Sequence, residues 1–185
     1  MTKNFLPSFN EGKAIAAITL LLKLSKGKCD KYWLNKVMYY LERESLIRTG
    51  QPMFNDSLYS IAYGPIASAI NDGIDNTEYQ FDSEWNKFIT LEGKTVKLIN
   101  EPNYEVFTDN EYNLIVETFH KFEGWEFGRM KDFFHKLPEH KETRSRIDIE
   151  YSDIFHAAGI DEASIRDSLE TISYFKNFDN IIQCD

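Results

Sequence analysis

Two closely spaced runs of apolar residues at three- and four-residue intervals limit what the first quarter of this chain can become. From Asn10 to Lys26 they fall at Ala14, Ile15, Ile18, Leu21, Leu22 and Leu24, with Asn10 placed as an N-cap and Gly27 just past the end. That spacing predicts an amphipathic helix. The second run opens at the capping residue Asp30 and carries Trp33, Leu34, Val37, Met38, Tyr40, Leu41 and Leu46 toward Arg48, where Gly50-Gln51-Pro52 stops it. So short a connection predicts neighbouring antiparallel helices sharing one core.

The rest of the chain continues this pattern with brief interruptions. Residues 57–62 tolerate a strand, and Tyr63-Gly64-Pro65 reads as a turn feeding a helix over 66–74, with Pro65 at its first position. The runs 87–91 and 94–99 flank Glu92-Gly93 and predict a hairpin. Thr108, with Glu111 three residues on, forms a capping box for a helix through Phe122. A shorter helix over 126–135 is broken by Leu137-Pro138. Two more are expected over 152–158 and 161–178, with Gly159 ending the first and Asp161 capping the second. The expected fold is mainly α with a small β-hairpin element, a single compact multi-helix domain over residues 1–185. No repeat, low-complexity tract or long linker divides it.

Composition narrows the function classes. The 185 residues are 42% hydrophobic and 15% aromatic, sufficient for one core. No apolar run approaches the ~20 residues of a bilayer span, and the N-terminus lacks a secretory apolar segment. No membrane association is expected, and the expected location is cytoplasmic. The formal charge of −9 is unevenly distributed, with nine Lys/Arg against four Asp/Glu in the first fifty residues and twelve against twenty-six in the remainder. Lys23, Lys26, Lys28, Lys31 and Lys36 straddle the helix connection without a base-reading signature, so nucleic acid is not expected as a partner. A regulatory adaptor or DNA-associated repressor using this basic region is the alternative. The acidic remainder favours a basic protein partner or is simply a solvated face.

Few residues offer chemistry of their own. Cys29 and Cys184 lie far apart and read as reduced thiols; Cys29, beside Lys28, Lys31 and a helix start, is a candidate for an acidified one. His135 and His140 are the only histidines close in sequence, and Pro138 between them prevents a shared helix face. Zinc-type spacing is absent, so neither metal nor cofactor is expected. An unrecognised hydrolase or metalloenzyme centred on His135, His140 and Glu139 is a further alternative. Its plainer counterpart has His135 at a helix end and His140 solvated. No nucleophile elbow or Gly-rich phosphate loop occurs. Tyr32, Trp33, Tyr39, Tyr40, Tyr59 and Tyr63 crowd the first third of the chain, mostly as core, some as docking anchors.

The order Leu34-Asn35-Lys36-Val37-Met38-Tyr39-Tyr40-Leu41-Glu42, then Gly50-Gln51-Pro52-Met53, then Ala62-Tyr63-Gly64-Pro65-Ile66, resembles the Panacea domain, the SocA/GepA-like antitoxin domain of bacteria and their mobile elements. The stretch from Met130 to His140 is similar to a later family segment, keeping His135 and Pro138 but with Phe134 where Thr is usual and no Trp after Pro138. The resemblance covers about residues 12–142 and leaves an acidic helical extension over about 150–185. It implies neutralisation of a protein toxin by direct binding, without catalysis or cofactor; occlusion, refolding and delivery to a protease are all compatible with it. Lys36, Tyr39, Tyr63, Gly64, Pro65, His135 and Pro138 are the partner-binding residues it suggests. Turn formation, helix initiation and packing are the structural reading of the same residues. Toxin identity and oligomeric state, a homo-oligomer included, stay open at this point.

Overall fold

The computed structural model describes residues 9–77 and 83–182, with side chains through residue 175; Cys184 lies outside the described residues. Seven helices and two three-stranded antiparallel sheets make up the described fold, confirming a mainly α single domain with small β elements. No helix among the described residues is long and apolar enough to cross a membrane.

Helix α1 (Glu11–Leu24) starts where Asn10 accepts from the Lys13 N–H, as its capping position requires. It is not amphipathic. Every residue from Ala14 to Leu22 is buried, because α2 (Lys31–Thr49), α4 (Asp109–Phe122) and strand β5 (Thr95–Leu98) surround it. Thr19, inside this apolar run, donates its hydroxyl to the Ile15 and Ala16 carbonyls, which removes the cost of burying it. Helix α2 is capped by Asp30, whose side chain accepts from the Trp33 N–H, and ends at Gly50. The indole N–H of Trp33 donates to the Phe122 carbonyl and ties α2 to the end of α4. Thr108 and Glu111 form the expected capping box of α4.

The first sheet has the order β1-β5-β4. Strands β4 (Ile89–Glu92) and β5 are the anticipated hairpin; β1 (Lys28–Asp30) adds a third strand that three residues of sequence did not announce. Helix α3 (Ser68–Asn76) packs near β4, and a Cβ at Gly73 would stand 2.3 Å from the Trp85 ring. Glycine is required there because the indole occupies the place of a side chain.

The second sheet has the order β3-β2-β6 and corrects the expectation for Pro65. Strands β2 (Leu58–Ile61) and β3 (Gly64–Ala67) form a tight hairpin around Ala62-Tyr63, with Ser60 opposite Pro65. Pro65 lies in a strand, not at a helix start. It is tolerated because β3 is an edge strand, where a missing N–H is not needed by a neighbour. Gly64 takes φ +92°, which L side chains rarely adopt. Strand β6 (Ile147–Ile149) pairs with β2 from the far side, stitching the C-terminal portion onto the hairpin. Helices α5 (Phe127–His135), α6 (Tyr151–Ala157) and α7 (Glu162–Ile182) fall within a few residues of expectation.

A buried carboxylate organises the loop between α2 and β2. Glu42 is fully buried and accepts from the backbone N–H groups of Met53, Phe54 and Asp56 at 2.7–3.0 Å and from the Tyr151 hydroxyl at 3.2 Å. Burial pushes its carboxyl up to about 7 against these donors. Asp56 accepts in turn from the Ala69 and Ile70 N–H groups, capping α3 from twelve or more residues away.

Glu42→Ala would leave three buried N–H groups unpaired, each costing about 1–3 kcal/mol. Urea unfolding is expected to show a loss of at least about 3 kcal/mol by that reasoning; a loss within 0.5 kcal/mol, the range of an ordinary surface change, would show that the loop does not depend on this carboxylate.

Candidate functional site

One face of α2 carries Tyr32, Lys36, Tyr39 and Arg43, at spacings of three and four residues that align them along the helix. The β2–β3 hairpin and the end of α5 lie against this face. The sequence-derived residues Lys36, Gly64, Pro65 and His135 meet here.

Lys36 is 1% exposed. Its Nζ donates to the Pro65 carbonyl at 2.7 Å and sits 5.1 Å from the centre of the Tyr32 ring. No carboxylate forms an ion pair with it among the described residues. Burial with no compensating charge lowers this ammonium to about 7. A Cβ built on Gly64 would lie 3.2 Å from Lys36 Nζ and 3.3 Å from His135 Cδ2, so both groups converge on the bare glycine.

His135 and His140 are five residues apart across Pro138, yet their ring centres are only 4.8 Å apart. Glu139 accounts for this. Its buried carboxylate accepts through Oε1 from the Tyr39 hydroxyl at 3.0 Å and from Arg43 Nε at 2.6 Å, pinning the 136–140 turn to α2. Tyr39 is itself fully buried, so it positions this turn rather than meeting a rigid partner. His140 is half-buried and not solvated as anticipated: its Nδ1 is 3.1 Å from Ser60 Oγ, which also accepts from the Lys141 N–H. The Nε2 atoms of both rings are buried and unpartnered. Burial and the charges of Lys131 and Lys36 lower His135; burial, His135 and Lys36 lower His140.

Around this centre the surface is aromatic. Tyr63, at the hairpin tip, is 59% exposed, and Phe127, opening α5, is 54% exposed. Tyr32 joins them, its hydroxyl donating to the Tyr63 carbonyl and its ring 4.6 Å from that of Phe127. Pro138 is exposed in the adjoining turn, while Gly64 and Pro65 are buried beneath the tip. Sequence reasoning names Tyr32 only among the possible docking aromatics and misses Arg43; the i, i+4, i+7, i+11 spacing of 32, 36, 39 and 43 is the available signal. Phe127 and Ser60 carried none.

Two other candidates sit in surroundings that do not favour the chemistry suggested for them. Cys29 is half-buried in β1, and burial with the neighbouring Asp30 raises its thiol to about 12, the opposite of an activated nucleophile. Glu139 turns toward Tyr39 and Arg43, and among the described residues no group of three or more His, Cys, Asp or Glu could hold a metal ion.

A family model described as antitoxin SocA-like, Panacea domain, matches residues 34–140. The matched span contains every motif residue of the site and omits α1, β1, β6, α6 and α7. Comparison with curated proteins and with solved structures gives no match to either.

The lowered ammonium of Lys36 has a signed consequence for stability. The unfolded chain, with an ordinary lysine near 10.5, binds more protons than the folded one between about 7 and that value. Stability from this group therefore rises with pH across the window. Urea midpoints of the natural protein are expected to rise relative to those of Lys36→Met as pH is raised from 7 to about 10; a pH-independent difference would contradict a depressed lysine.

Proposed function

Because the chain belongs to the antitoxin SocA-like, Panacea-domain family, we propose that it neutralises a partner protein toxin by direct binding, without catalysis and without a cofactor. The observation that carries this reading is the aromatic group of exposed Tyr63 and Phe127, bridged by half-buried Tyr32, beside the buried motif residues. Large exposed aromatics with few rotatable bonds are the side chains that anchor protein interfaces. They stand on a β-hairpin and a helix end held by buried contacts, so little ordering remains to be done on association. A stable inhibitory complex buries about 1,600 Å² in all, half from each partner, and this face would supply its centre.

The acidic balance of the chain favours a toxin with a basic surface and quickens its capture. Of the basic stretch invoked for a DNA-associated repressor, Lys23 pairs with Glu101, Lys31 with Asp75 and Lys36 is buried, which leaves exposed charge at Lys26 and Lys28 alone. That distribution favours the protein-binding reading.

Co-expression with the product of the neighbouring open reading frame tests the proposal, protection from its toxicity being the expected result. Tyr63→Ala with Phe127→Ala changes only exposed side chains and is expected to leave the helical circular dichroism intact. Loss of two anchors at about 1–2 kcal/mol each should weaken the complex at least tenfold and abolish protection. Full protection by the folded double variant would refute this face as the toxin-binding surface.

A further inference from the structure

Helix α7 packs on the body through Ile165, Leu169 and Ile172, and it leaves a groove of about 500 Å³ between itself and the β2–β6 strand pair. The groove has an apolar interior: Ile172 is buried, and Tyr59 and Leu169 are half-buried in its walls. Asp148, opposite Tyr59 in the strand pairing, and Glu150, just before α6, are exposed on its rim. Neither carboxylate forms an ion pair among the described residues. No lysine or arginine lines the groove among those residues either. Two cations of the preceding segment are already engaged: Lys141 pairs with Asp153, and Arg146 lies 3.4 Å from the centre of the Tyr59 ring and donates to Ser68 Oγ. Residues 150–185 carry eight Asp/Glu against two Lys/Arg, so the field around the groove has the sign of its rim.

We propose that this groove docks a basic segment of the partner protein, an arginine or lysine side chain lying with its stem along Tyr59 and Leu169 and its charged head at Asp148 and Glu150. The proposal deepens the toxin-binding reading and rests on it for the source of the segment. Long basic side chains join an apolar stem to a charged head, and the groove offers a counterpart to each. Tyr59 stands four residues before Tyr63, ~13 Å along an extended chain, so one partner reaches from the hairpin tip to the groove. One wall, β2, belongs to the span matched by the family model; the other, α7, lies outside it, which assigns part of the partner's recognition to the C-terminal extension. Other occupants fit less well. A second copy would set one acidic rim against another, nucleic acid brings phosphates of the same sign, and an apolar small molecule leaves both carboxylates unmatched.

The free full-length protein permits a test that does not require the toxin. The probe is a tetra-arginine peptide with blocked ends; the uncharged tetra-citrulline peptide and a tetra-glutamate peptide are separate arms, and backbone ¹H–¹⁵N resonances are the readout. Tetra-arginine is expected to shift residues 148–152 and 169–173 saturably, less strongly as sodium chloride is raised, and the other two peptides are expected to leave them in place. Asp148→Lys with Ser173→Arg changes two exposed side chains of the groove and should weaken this binding at least about tenfold; if the strand substitution disturbs β6, Ser173→Arg alone should weaken it about threefold. Equal binding of tetra-citrulline, shifts spread evenly over the acidic surface, or unchanged binding in the folded variants would overturn the proposal. Self-association that these variants abolish would give the groove to a second copy and overturn it too. A local tetra-arginine response in a chain that gives no protection on co-expression would refute the antitoxin role and support the groove as a basic-segment site. Full protection by the folded Asp148→Lys, Ser173→Arg variant would leave that role standing and remove the groove from it.

Discussion

Glu42 is the joint through which the central helix holds the rest of the molecule. A carboxylate removed from water is costly unless its lone pairs are filled, and here three backbone N–H groups fill them, with the Tyr151 proton shared between Glu42 and the nearer Asp56 carbonyl. The donors come from the loop after α2 and from α6, so one side chain sets the path of a segment adjacent in sequence and docks another about a hundred residues on. Asp56, fixed by this arrangement, caps α3 in turn. The base of the β2–β3 hairpin follows directly from that loop, which makes the exposed tip dependent on a charge buried far beneath it.

Lys36 lies on the same helix and has the opposite condition. Glu42 is saturated with donors; Lys36 has one carbonyl and one aromatic ring. The contrast separates a charge that explains the fold from one that folding alone leaves incomplete. Between them Tyr39 and Arg43 hold Glu139, and through it the turn bearing His140. The conspicuous motif residues therefore divide by depth: Tyr63 reaches solvent, while Tyr39, Gly64 and Pro65 shape the ground on which it stands.

Local chemistry was legible wherever it was self-contained. The Asn10 and Asp30 caps, the Thr108–Glu111 box and the β4–β5 hairpin depend on residues within a few positions of one another, and each appears as read. Pro65 was misread because its helix-starting habit is overruled by pairing with Ser60 and by the Lys36 contact. Strands β1 and β6 have three residues each, too few to show alternation, and exist because distant strands accept them. Cys29 looked acidified by its sequence neighbours, but burial decided otherwise. The meeting of His135 and His140 depends on Glu139 finding α2, a contact across about a hundred residues that no spacing encodes.

The pairing of Leu58 with Ile149 also orders events in time. During synthesis the central strand of the second sheet must wait for some ninety further residues before its second neighbour emerges, and contacts of such long sequence separation form late because the intervening loop must first close. The sheet to which the Tyr63 hairpin belongs is thus completed only after most of the chain has been made. A nascent chain halted before β6 would carry the tip without the strand that steadies it.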